Sequence, residues 1–324
     1  PFIAKFPYLT TITRISNLDT SNYNGLQMTL TARNFHGASF TSGYTYSKSL
    51  DVASTSGSGV GTDSYNAGLD YGRANSDVRH RFTLSSVYQI PGVMGYHGAL
   101  QGWKLNGILR YQTGRPWASG ASGDSMGTNR TSRWNFNGDA SDFAVDYTGV
   151  NVADFHPPGA NSSVIATTVN PPTGLVYSSV AAGQADLAIN NELCKKAAPA
   201  GTLAGASLQA LGCWTQGGSA ITPPAPNTFG TMARGLFSGP SFWAVDLSIT
   251  KRQQITERFT AEFRAETFNT FNHPTFGQPS TSLGCSVGSC SLGLTSQTPA
   301  VAATNSFLGN GGPRRMQFGI KIIF

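Results

Sequence analysis

Gly123-Asp124-Ser125-Met126-Gly127 has the spacing at which a nucleophilic serine can sit on a sharp strand-to-helix elbow. The flanking residues are Gly, Ser, Ala and Asn without alternation, so no strand leads into the motif and the stretch reads as loop. The histidines His36, His80, His97, His156 and His273 are scattered, and no HExxH pair places two of them on one helix face. His80 in VRHRF and His273 in FNHPTFG therefore read as structural residues near strand ends. Asp139, Asp142, Asp146 and Asp154 offer oxygen ligands, but not at the spacing of a calcium-binding helix-loop-helix, and a solvated acidic loop is the expectation. Neither catalysis, a metal nor another cofactor is expected. Cys194 and Cys213 share one Gly/Ala-rich stretch, and Cys285 and Cys290 share another. None has the CxxC spacing of a zinc site, so two loop-closing disulfides, Cys194–Cys213 and Cys285–Cys290, are expected in an oxidising compartment, with four free thiols as the alternative.

The remaining charged side chains fall into a pattern. Arg33, Arg81, Lys104, Arg110, Asp246, Glu262, Arg264, Glu266 and Lys321 occupy alternate positions of stretches whose other positions are apolar or small. The opposite faces read Leu26, Met28, Leu30, Ala32; Phe40, Ser42, Tyr44, Tyr46; Phe82, Leu84, Ser86, Tyr88, Ile90; and Trp103, Leu105, Gly107, Leu109, Tyr111. They continue with Trp243, Val245, Leu247, Ile249; Phe259, Ala261, Phe263, Ala265; and Met316, Phe318, Ile320, Ile322, Phe324. Alternation with period two is the signature of strands with one face in an apolar medium. A lipid-facing Arg or Lys at the bilayer midplane costs about 2–4 kcal/mol, so a membrane barrel needs this segregation where a soluble sandwich does not. Arg81, Arg110, Asp246, Glu262, Arg264 and Glu266 are accordingly expected to line a lumen. Folding the last long hairpin about a turn at 251–257 sets Asp246 opposite or diagonal to Arg264.

The elements that hold these residues follow from composition and loop lengths. Charged residues are 12% of the chain, against roughly 25% in an average soluble protein, and there are 38 glycines. No apolar run of 18 residues exists, so no transmembrane helix is expected, a condition that leaves strands free to cross. The net charge of +6 is dispersed, without basic clusters interleaved with aromatics, and no nucleic-acid partner is expected. Connections at 34–38, 91–101 and 251–257 are short; those at 48–77, 114–240 and 269–313 are long. Short periplasmic turns opposite long outer loops are the barrel pattern. The expected fold is all-β: part of an antiparallel transmembrane β-barrel, seven strands with an eighth near Thr10–Ile15, and a large irregular extracellular loop over about 114–240. Tyr46, Tyr111 and Trp243 mark one rim and Phe40, Tyr88, Trp103 and Phe324 the other. The chain opens PFIAKF, without an initiator Met or export signal, and is expected to be the C-terminal portion of a longer protein. The closing strand, with Phe318, Ile320, Ile322 and Phe324 on its oily face, is expected to be the signal read by the barrel assembly machinery.

Four stretches carry a family resemblance. SNYNGLQMTLTARNFHGASFTSGYTYSKSLD, SDVRHRFTLSSVYQIP, GPSFWAVDLSITKRQQITERF and FRAETFNTFNHPTFG resemble the barrel of Oar-like TonB-dependent outer-membrane transporters, and the likeness covers most of the chain outside 114–240. The resemblance implies a barrel of about 22 strands filled by an N-terminal plug. It also implies contact with TonB through a segment outside this chain, and energised uptake of a bulky nutrient whose identity is not legible. It carries over no ligand-binding residue. A non-transporting outer-membrane protein for adhesion or surface structure is the alternative. A secreted carbohydrate-active enzyme would need a carboxylate pair across a cleft, which the sequence does not present.

Overall fold

The structure is a computed structural model that describes residues 19–54, 62–63, 66–92, 101–120, 125–126, 132–144, 153–156, 158, 187–284, 291–295 and 312–324. Its main sheet is built from seven long strands: β1 (Ser21–Phe35), β2 (Ala38–Asp51), β4 (His80–Gln89), β5 (Trp103–Gln112), β12 (Phe242–Gln254), β13 (Thr260–Phe268) and β14 (Arg315–Ile323). They pair antiparallel in chain order, and a two-residue strand, β3 (Gly72–Arg73), adds to the end of β2. Among the described residues β1 and β14 pair with nothing on their outer sides, so the sheet is an open wall. The proposed strand at Thr10–Ile15 lies outside the described residues.

The register carries the alternation across the whole wall. Ala38, Tyr88, Leu105, Ile249, Ala265 and Phe318 form one continuous cross-strand row. Phe40, Ser86, Gly107, Leu247, Thr267 and Met316 form the next. A one-residue slip anywhere would exchange the two faces, so the agreement of six strands fixes which side is oily. That side is uncovered by protein: Leu30 is 63% exposed and Ile320 75%. A soluble sheet would bury such a face. Here the side chains have no second layer to pack against, which is the condition of a wall facing lipid.

The turns explain the register. His36 and Gly37, at φ 48° and 83°, connect Phe35 to its partner Ala38. Two consecutive positive φ values make the tight hairpin whose twist matches the flanking strands, and Gly bears the second without strain. The β12–β13 hairpin differs from expectation. β12 runs on to Gln254, which pairs with Thr260, so the turn is 255–259 rather than 251–257. The extension puts Lys251 on the oily face, where its ammonium lies 5.6 Å from the Trp103 ring centroid and donates to the Gln101 carbonyl in the short β4–β5 connection. Its stem thus covers apolar surface while its charge reaches the rim.

The largest buried cluster lies outside the wall, within the stretches expected to be irregular loop. β6 (Pro116–Trp117) pairs with β11 (Phe237–Ser238) just beyond β5 and β12. Above them β7 (Asn135–Asn137), β10 (Ser219–Thr222), β9 (Cys213–Gln216) and β8 (Asp154–His156) form a four-stranded sheet in that order. Trp117, Trp134, Phe143, Trp214, Ile221, Met232 and Phe237 pack with Leu283 and Leu292 from the loop before β14. The expectation that 114–240 lacks helical order is corrected by helices at Glu192–Ala197 and Leu203–Leu211. They are too short to show a sustained period, and their caps start them. Asn191 accepts from the Leu193 and Cys194 amides, and Thr202 accepts from that of Gly205. No helix among the described residues is long and apolar enough to cross a membrane, which leaves crossing by strands untouched.

Candidate functional site: lumen wall and extracellular canopy

On the polar face the six expected wall residues are together, but not in the expected pairs. Arg110 meets Asp246, Nη2 to Oδ2, at 2.7 Å, because Ala244 rather than Asp246 lies directly opposite Arg110 and the pair is diagonal. The expected Asp246–Arg264 pairing does not occur: the later turn sets Arg264 opposite Thr250. Arg264 instead lies 3.6 Å from both Glu262 and Glu266 on its own strand, two residues away on the same face. Glu262 stands between Arg252 and Lys321 in the register, and Arg81 between Thr45 and Gln112. Asp246 has a second task. Its Oδ1 accepts the Asn269 amide at 2.8 Å, which pins the FNHPTFG turn to the wall. Asn269, at φ 50°, donates through Nδ2 to the His273 and Gly312 carbonyls and accepts the His273 amide. This carboxylate is a structural anchor between β5, β12 and the turn after β13.

His273 lies against the Trp243 ring, centroids 4.1 Å apart, and burial lowers its pKa below the ordinary histidine range. The lowered pKa means the folded turn resists protonation while the unfolded chain does not. Stability is therefore full above about pH 6.5 and is lost as pH falls through the folded value. The protection factors of the 269–273 amides, exchange rates taken relative to the intrinsic rate at each pH, should fall between pH 7.5 and 5, and His273→Phe should remove that dependence; protection that does not change with pH in wild type would contradict it.

The other chemistry-bearing residues are placed as structure. Ser125 Oγ lies 2.8 Å from Ser132 Oγ and 2.6 Å from the Thr228 carbonyl oxygen, a hydroxyl and a carbonyl rather than a base; Gly123, Asp124 and Gly127 lie outside the described residues. His36 forms the first hairpin, and His80 Nδ1 is 2.8 Å from the Tyr44 hydroxyl. His156 is buried beside Thr215, and His97 lies outside the described residues. Asp139 starts a short helical turn by accepting the Ser141 amide, which lowers its pKa. Asp142 accepts from the Ser219 hydroxyl at 2.6 Å and the Gly218 amide at 3.1 Å, closing the β9–β10 hairpin. Asp154 is in β8, and Asp146 lies outside the described residues. Among the described residues no group of three metal-ligating side chains converges.

Cys194 and Cys213 are bonded, their Cα atoms 6.4 Å apart, joining the Glu192–Ala197 helix to β9; Cys285 and Cys290 lie outside the described residues. Non-reducing peptide mapping should recover the Cys194–Cys213 link. Replacing both with Ser should destabilise the canopy by about 3 kcal/mol through the freed loop, seen as faster proteolysis at Lys195–Lys196. Phe318, Ile320 and Ile322 lie on the exposed oily face of β14, with Phe324 following at 93% exposure.

One network was not legible in the sequence. The β2–β4 loop and the canopy are joined by Arg234 to Asp51, Nη1 to Oδ1 2.6 Å, and by Arg133 to Asp70, Nη2 to Oδ1 3.2 Å. Asp70 is held by the Thr62 amide and hydroxyl, and Asp77 by the Ser49 amide and Arg73 Nε. Burial lowers the Arg133 pKa, Asp70 opposing that shift and Arg234 adding to it. These residues are far apart in sequence and share no period. The only local sign is a scatter of Arg and Asp through loops otherwise rich in Gly, Ser and Asn.

An oily strand face without a second layer, an opposite face holding the charge, and long loops gathered at one end are the features of a membrane β-barrel wall. The family model of the outer membrane beta barrel domain matches residues 2–317, and the chain belongs to that family. It is a protein of the bacterial outer membrane. No curated protein matches it.

Proposed function

We propose that the chain forms barrel wall and ligand-facing loops of a TonB-dependent receptor that takes up a bulky nutrient. The observation that carries the reading is the canopy: two long loops from one end of the wall share a core, and an Arg–Asp network ties the third to it. Trp214 Nε1 donates to the Leu283 carbonyl between two of them, and Arg234 binds the third. Built loops of this kind suit selection of a ligand, whereas a passive pore needs little above its rim. The four stretches that resemble Oar-like transporters support the energised mode, with TonB engaged through another part of the full protein. No residue is assigned to chemistry on the ligand, and the reading is of a transporter rather than an enzyme. The test uses the complete gene product in its own outer membrane. It should capture the periplasmic domain of TonB, and its deletion should slow growth on dilute complex nutrients in a way that a protonophore reproduces. Loss of surface attachment with neither effect would favour the adhesion reading and overturn transport.

A further inference from the structure

Arg81 differs from the arginines around it. It is the second residue of β4, at the end where the long loops gather, and it lies on the polar face because Phe82, Leu84, Ser86 and Tyr88 take the oily one. At the same end Arg73, Arg79, Arg110, Arg133 and Arg234 each have a carboxylate oxygen within 3.7 Å. Arg81 is exposed and makes no ion pair or hydrogen bond among the described residues.

Its neighbours offer hydroxyls and amides in place of acids. Its row across the sheet reads Gln27, Thr45, Arg81, Gln112, Phe242, and the next reads Thr29, Gly43, Thr83, Arg110, Ala244. The third row passes Thr31, Thr41, Ser85 and Ile108 before it reaches Asp246, whose carboxylate is taken by Arg110 and the Asn269 amide. Thr29, Thr83 and Ser85 are exposed and make no hydrogen bond among the described residues. Gly43 opens a gap among these side chains. A Cβ there would stand 3.0 Å from the Thr83 hydroxyl oxygen, so that hydroxyl lies beside the space a side chain would fill. Rows about 7 Å apart and strands about 4.8 Å apart put Arg81 and the gap within the span of one small ligand.

Each of these features selects. A guanidinium with no acid of its own takes a carboxylate through two parallel N–H donors. Hydroxyls both donate and accept, so several of them match a ligand that does both along its length. A single positive charge suits one carboxylate better than a cluster of phosphates. We infer that Arg81, Thr45, Thr83 and the gap at Gly43 form a binding site for a carboxylated sugar, an acidic oligosaccharide of the uronate kind. The inference rests on the transport reading, for which it names the ligand class.

The complete gene product, purified from outer membranes in detergent, is titrated with oligogalacturonate, with alginate oligomers, with methyl-esterified oligogalacturonate and with succinate. Wild type should bind at least one acidic sugar more tightly than the ester or succinate. Arg81→Gln should weaken that binding about thirtyfold and abolish the preference over the ester. Gly43→Val, which fills the gap with a residue that suits a strand, should weaken sugar binding about tenfold. Arg252→Gln removes an exposed cation of the same face near the opposite rim and should change nothing. Failure of both acidic sugars to bind, equal binding of the ester, or an equal loss in Arg252→Gln would overturn the site. The competing occupant is a carboxylate from elsewhere in the full protein. In that case Arg81→Gln lowers the unfolding temperature of the sugar-free protein and costs no sugar binding, which also overturns the site. Heat-modifiability reports folding of each variant, and Arg81→Gln carries the test if Gly43→Val fails to assemble. Binding needs no TonB: lost TonB capture with binding intact sinks transport alone, and absent binding with capture intact sinks this site alone.

Discussion

Leu109→Arg should sharply reduce the amount of folded protein in the outer membrane, while Ile108→Arg should be accepted. The two positions are adjacent on β5 and differ only in the face they occupy. Leu109 stands between Leu84 and Val245, in the middle of the oily side. A guanidinium there must be held in hydrocarbon at about 2–4 kcal/mol. Ile108 stands between Ser85 and Asp246 on the polar side, so a new cation there gains a carboxylate neighbour. The measurement is the heat-modifiable, protease-resistant fraction in outer membranes. Equal tolerance of the two substitutions would mean that the faces are interchanged or that neither meets lipid.

What the sequence disclosed divides along one physical line. Period-two alternation survives in any strand with one face in an apolar medium, and it located all seven wall strands and their facing before any pairing was known. Pairings depend on where each hairpin turns, and a turn has no period. The Asp246–Arg264 expectation failed because β12 extends to Gln254, a polar stretch that reads equally well as turn or strand end. The canopy was invisible for a related reason. Trp117, Trp134, Trp214 and Phe237 are separated by long stretches rich in Gly, Ser and Pro, and their core is assembled within one long loop and closed by Leu283 and Leu292 of another. A count of three tryptophans in otherwise polar loops was the available hint, because exposed loops have no physical reason to hold them.

The same division separates two parts of the protein that should fail independently. Phe237 is fully buried and packs on Phe143 at 4.9 Å, Trp117 at 4.9 Å and Phe136 at 5.2 Å between ring centroids. Phe237→Ala removes the ring on which the three others meet, a loss of about 3–5 kcal/mol for a buried aromatic. The wall is held by backbone ladders and by lipid on its outer face, and none of its cross-strand rows includes Phe237. Trypsin cleavage at Lys195–Lys196 should therefore accelerate about a hundredfold or more. Heat-modifiability of the wall should be retained. Leu203→Ala, at a residue 65% exposed on the canopy surface, should change neither measurement. If Phe237→Ala removes the folded wall together with the canopy, the two are one cooperative unit. The canopy would then be part of what holds the wall, and its loops could not rearrange around a ligand while the strands stay fixed.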